Sequence, residues 1–220
     1  MMAEQCLSSI NVVRMRAVRL DANFQFSSAA DNAYVSDALT ELTMTPLVLA
    51  GQEITQRNGT GDLCVDYRED DRPRSQMDLS MSLCLLDASL LELMTGGTAI
   101  SDGADIVGFE PRGGDAGAPP PVALEVWEYA WDGEERAYDA AGDALFFRHA
   151  FPLSRWTVGQ QRLVNGALVI PINGKAKKNS NFGMGPAGDW PANVSEPGAF
   201  IQTSAIPDAA CGYQDVLIAS

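Results

Sequence analysis

His149 is the single histidine of this 220-residue chain and the first residue to weigh for acid–base or metal chemistry. A catalytic imidazole needs a nucleophile or an orienting carboxylate beside it in space. His149 instead stands in the aromatic, strand-like run Phe146-Phe147-Arg148-His149-Ala150-Phe151, which favours a structural role. No nucleophile elbow, His-Glu-x-x-His pair, Walker loop or calcium loop occurs. Glu69, Asp70 and Asp71 form one acidic run, and Glu134 with Glu135 another. Hard cations need oxygen ligands converging from several directions, whereas consecutive acids point apart, so both runs read as solvated loops. Cys6, Cys64, Cys84 and Cys211 are widely spaced with no C-x-x-C pair. That argues against zinc and for buried thiols acting as small hydrophobes, with disulfides as the lesser alternative. The expectation is no catalytic residue, no cofactor and no metal. The sequons at Asn58 and Asn193 mark surface loops only.

Trp127, Tyr129, Trp131 and Trp156 open a different possibility, a platform on which a sugar ring stacks. Aromatic side chains are equally at home in cores and subunit interfaces, so the pattern alone does not choose between a carbohydrate-binding module and an assembling subunit.

The formal net charge is −14, which argues against simple adhesion to nucleic acid. Its distribution is uneven. From Asp102 to Asp143 there are eleven acids against Arg112 and Arg136, while Ala144 to Gly188 holds no acid. The latter stretch carries Arg148, Arg155, Arg162, Lys175, Lys177 and Lys178, including every lysine. Two segments of opposite sign can be complementary between copies, and these six cations are the candidate inter-subunit face. No apolar run is long enough to cross a bilayer, and the opening residues lack the order of a signal peptide, so the expectation is a protein that stays in the cytoplasm that makes it, off the membrane.

The elements that must position these residues are mostly strands. Val13, Met15 and Ala17 alternate with arginines, and Phe24 with Phe26 continues an extended reading past Asp21. Ala38 to Leu49 is a second strand, interrupted at Pro46. Gly51 to Arg74 reads as a long exposed excursion with a short strand at Leu63 to Tyr67. Met77, Leu79, Met81, Leu83 and Leu85 alternate with polar residues in a half-buried strand. A short helix follows, with Asp87 as N-cap, Leu86 and Leu91 as a hydrophobic staple, and Gly96 as the left-handed stop. Residues 97–121, with GGDAGAPPP, read as a loop. Val122 to Trp131 has apolar or aromatic residues on both faces, as in a two-layer sandwich. Leu145 to Phe151 and Ala167 to Ile172 are further strands, with Asn165-Gly166 and Asn173-Gly174 as turn signals. Residues 179–220 read as a C-terminal arm. One mainly β domain spanning residues 1–220 is expected, sandwich or barrel-like, with one short flanking helix and long loop or arm excursions.

Several of these segments occur together in a known family. Val12 to Leu20, Thr45-Pro46-Leu47-Val48-Leu49, the loop-to-helix region Arg57 to Gly97, Glu125-Val126-Trp127-Glu128-Tyr129-Ala130-Trp131 and Gly183-Met184-Gly185-Pro186, in this order and spacing, resemble the major tail tube proteins of long-tailed phages that infect actinobacteria. The resemblance implies a structural virion protein with no catalytic residues. Six copies would close into a ring, and rings would stack into a hollow tail tube through which double-stranded DNA passes as a non-adhering cargo. The implied partners are other copies of the chain, a tape measure protein, a tail terminator and distal tail proteins. The implied location is the virion tail, assembled in the bacterial cytoplasm. For such a conduit, carboxylates that repel phosphate over about 8 Å at physiological salt suit the lumen, and Asp66, Asp78, Glu125 and Glu128 are the candidates. A carbohydrate- or receptor-binding sandwich and a single-ring terminator or connector are the alternatives.

Overall fold

The computed structural model describes residues 8–26, 31–49, 53–57, 60, 63–68, 72–160, 169–183, 185, 196–208 and 211–214. The strands in chain order are β1 (Ser8–Arg19), β2 (Ala33–Ser36), β3 (Leu39–Leu49), β4 (Glu53–Arg57), β5 (Leu63–Arg68) and β6 (Arg72–Leu83), then helix α1 (Ala88–Thr95). After it come β7 (Thr98–Asp102), β8 (Asp105–Glu110), β9 (Val122–Asp132), β10 (Glu135–Arg136), β11 (Phe146–Val158), β12 (Ile170–Lys177), β13 (Ala199–Thr203) and β14 (Gly212–Gln214). The protein is mainly β, as its alternating sequence predicts. One antiparallel sheet runs β14-β2-β1-β9-β11-β12-β6-β3, with β10 beside β9 and β13 beside β11, and the hairpins β4–β5 and β7–β8 form separate two-stranded sheets.

β11 folds this sheet into two layers. Its first part, Phe146 to Ala150, lies between β9 and β13. Its pairing with β9 then slips register between Phe151 and Ser154, across Pro152, and Ser154 to Val158 pair with β12. The first layer is therefore β14, β2, β1, β9, the start of β11 and β13. The second is the end of β11, β12, β6 and β3. Strand β1 approaches β3 without a ladder between them. One cluster fills the space between, in which Met15, Ala17, Leu124 and Val126 meet Leu79, Met81, Leu83 and Ile172.

Helix α1 closes this core with Leu90, Leu91, Leu93 and Met94, all buried. Asp87 caps it as expected, accepting from Leu90 N at 3.1 Å, and Gly96 ends it at φ 71°. Leu86, the outer half of the expected staple, remains 47% exposed. Arg19 reaches the other end of the helix and donates to the carbonyls of Glu92 and Leu93 at 3.0 and 3.1 Å, where a cation also complements the helix dipole.

Four sequence expectations change. Phe24 does not extend β1. The Asp21 carboxylate accepts from Asn23 N and Gln25 N at 2.8 and 2.9 Å, an Asx-type turn that sends Phe24 to φ 62° and brings Phe26 back opposite Leu20. Residues 97–121 are not wholly loop, because β7 and β8 pair around Gly103, at φ 65°. Asn173-Gly174 is no turn and lies within β12. A Cβ on Gly174 would sit 2.5 Å from the Trp156 ring, so glycine here makes room for a buried indole. The C-terminal region does not project as an arm where it is described, since β13 joins β11 and β14 joins β2. The Asn165-Gly166 signal lies outside the described residues. In the 51–74 excursion, β5 pairs with an additional strand, β4.

Candidate functional site: two outer faces of the sandwich

The outer face of the second layer is built from alternation. β12 buries Ile170, Ile172, Gly174 and Ala176 and exposes Asn173, Lys175 and Lys177. β6 and β3 do the same with Leu79 and Met81 inward and Ser80, Thr43 and Thr45 outward. Register then lines these side chains up across the strands. Thr45, Asp78, Lys175 and Arg155 make one row, and Thr43, Ser80, Asn173 and Thr157 the next. Most of the face is thus hydroxyl or amide, with charges grouped at one end. Lys175 Nζ stands 3.8 Å from Asp78 Oδ1, with both side chains substantially exposed, a pair worth about 0–1 kcal/mol. A cleft of about 690 Å³ opens over Asp78, Lys175, Lys177 and Arg155, with Phe24, Leu153 and Pro119 among its apolar walls.

Among the described strands, neither lateral edge of this layer has a further partner. β3 pairs only with β6 among the described strands, and Arg155 to Val158 of β11 pair only with β12.

The outer face of the first layer is charged and aromatic but covered. Glu125 accepts from Arg16 Nε at 2.6 Å, and Arg148 Nη1 lies 3.5 Å from its other oxygen. Glu125 and Arg148 are each about 1% exposed at their side chains. Arg16 lies 5.4 Å from the Trp127 ring centroid. Residues 204–208 cross above as a strap. Trp127 Nε1 donates to Ala205 O at 3.0 Å, and Arg14 donates to Pro207 O.

These positions correct several site expectations. Glu125 cannot line a lumen, because it is buried in an Arg–Glu–Arg cluster. Arg148 cannot belong to an exposed basic face, for the same reason. Glu128, partly buried, lies 3.1 Å from His149 Nε2, on the first layer and away from the polar face. Asp78, Arg155, Lys175 and Lys177 do come together on one exposed face, and Lys178 follows them, exposed, just past the end of β12. Asp66 belongs to the separate β4–β5 hairpin; its side chain and all of Arg162 lie outside what the structure describes. Part of the charge complementarity expected between copies is therefore used within one chain, at Glu125–Arg148. Arg16 was missed as a site residue. Its signal was Glu125 itself, a charge within Val122-Ala123-Leu124-Glu125-Val126-Trp127, a run that is apolar on both faces.

The remaining candidates fall into structural roles. His149 packs edge-on against Phe200 with centroids 4.8 Å apart. Trp127 and Trp156 are 1% and 0% exposed, and the Arg136 guanidinium sits 3.8 Å over Tyr129, so these rings form no open stacking platform. Cys84 and Cys211 are exposed free thiols rather than buried ones. Burial, then a hydrogen bond to Asp37, raises the Cys211 thiol. Burial, then a hydrogen bond to Asp87, pushes the Tyr34 phenol up as well, which ties β2 to the helix cap. Among the described residues no group of three or more His, Cys, Asp or Glu is placed to hold a metal.

The class these features define is a two-layer β protein with one polar face and one strapped face. No protein-family model matches the chain, and no curated protein matches it in sequence.

Proposed function

We propose that the chain is a self-assembling virion subunit, the major tail tube protein of a long-tailed phage, whose rings stack into a conduit for double-stranded DNA. The observation that carries this reading is the second layer, a four-stranded sheet with a polar outer face and, among the described strands, an unpaired edge on each side. Unpaired edges are templates for another strand, and two different edges on one subunit invite a heterologous, head-to-tail contact. When the rotation between copies closes, such contacts give a ring. The inner face of each layer is core, so the face turned to the lumen is the polar one, with Thr43, Thr45, Ser80, Asn173 and Thr157. Short hydroxyl and amide side chains make a smooth, hydrated wall.

Stacking of rings falls to the elements outside the sandwich. The hairpins β4–β5 and β7–β8 expose Leu63, Tyr67, Ile100, Ile106 and Val107, each between 46% and 61%. Isolated two-stranded hairpins are marginal in water and gain stability from a partner surface. The burial of Trp127 and Trp156 takes two of the four rings out of a sugar-stacking platform.

Hydrogen exchange read by mass spectrometry, on dilute and on concentrated protein, tests the edges. Amides of β3 and of Arg155 to Val158 gain protection on assembly in this account. Equal exchange there in assembled and dispersed protein would overturn it.

A further inference from the structure

We propose that the cleft on the outer face of the second layer is a docking groove for the phosphodiester backbone of a nucleic acid. Lys175 and Lys177 are successive outward residues of β12, and Arg155 is the cross-strand neighbour of Lys175 on β11. Same-face residues of a strand are about 6.7 Å apart, and adjacent strands about 4.8 Å. The three cations thus form a corner with Lys175 at its vertex, in an open cleft of about 690 Å³. The step along β12 suits successive charges of a polyanion, and Arg155 widens the contact across the strands. Thr43, Thr45, Ser80 and Thr157 add hydroxyl donors on the same face. Among the described residues Asp78 is the one carboxylate lining the cleft, and its place 3.8 Å from Lys175 tempers the attraction.

The chain as a whole repels nucleic acid at long range with its charge of −14. Screening confines that repulsion to about 8 Å at physiological salt, so the groove governs what happens on contact. The inference rests on the channel reading for what brings nucleic acid to this face. It replaces an acid-lined wall with one on which phosphates touch down briefly.

The test uses the full chain, dilute and dispersed, with a fluorescently labelled short DNA duplex followed by anisotropy at low salt. Wild-type protein binds the duplex, and with three phosphate contacts at about 0.9 each in the log–log slope, a tenfold rise in salt weakens binding about 500-fold. The triple variant Arg155→Gln, Lys175→Gln, Lys177→Gln loses the binding, and Asp78→Asn tightens it. All four positions are exposed or half-exposed, and circular dichroism confirms that each variant is folded. No binding by wild-type protein, or equal binding by the triple variant, would overturn the groove. So would inorganic phosphate alone competing as well, per phosphate, as the duplex. Self-association that the triple variant loses, in protein that ignores the duplex, would assign the cleft to another copy's acidic β7–β8 hairpin instead. Electron microscopy of the same samples separates the two readings. Duplex binding without tubes upholds the groove and removes the conduit, and tubes without duplex binding do the reverse.

Discussion

Glu125 is held by two arginines in a space that admits almost no water, and the three charges stand or fall together. Burying ions costs several kcal/mol each, and their mutual attraction offsets this only while every partner is present. Glu125→Gln leaves two guanidinium groups facing each other beneath the strap. The expected loss is about 3–5 kcal/mol in urea unfolding, while Arg155→Gln, on the exposed face, stays within about 0.5 kcal/mol of wild type. Similar losses in the two variants would mean that the cluster is not the buried anchor described. At this scale the sequence was partly legible. The gathering of Arg155, Lys175 and Lys177 in one acid-free stretch could be read directly, but not their place on one face, because Asn173-Gly174 reads as a turn and hides the strand that continues to Lys177. The different fates of Arg148 and Arg155 could not be read either, because both lie on outer faces and Arg148 is buried beside Glu125 on the covered first layer while Arg155 stays exposed on the second.

Among the elements, α1 was the most legible, since local chemistry sets both of its ends. Asp87 accepts from the helix and also from Ser36 Oγ at 3.4 Å, so the cap joins α1 to β2. Asp87→Ala should cost about 1 kcal/mol for the cap alone, and more through the lost contact with β2. A thermal melt checks this, and an unchanged midpoint would show that the core alone holds the helix. The β7–β8 hairpin was illegible for the opposite reason. Only Phe109 leans on the core, so its strands carry little of the alternation that burial imposes. The Gly174 position misled because glycine there answers to Trp156 across the ladder, a neighbour 18 positions earlier in sequence. The strap, too, is fixed by distant partners, Arg14 and Trp127, that nothing in residues 204–208 announces.

The whole molecule divides its surfaces. The first layer spends its charges internally and is covered by residues 204–208, while the second offers a polar face whose edge strands have no further partner among the described residues. Sequence revealed the mainly β class and the segregation of charge along the chain, because both are properties of composition and period. It could not reveal which layer each strand joins, and with it which acids meet water, because that depends on the bend in β11. Head-to-tail association through the second layer is the central claim, and negative-stain electron microscopy of the purified protein across a concentration series tests it most directly. Long hollow tubes with a regular axial repeat and an open lumen are the predicted result. Monodisperse monomers at every concentration, or solid aggregates without a lumen, would contradict it.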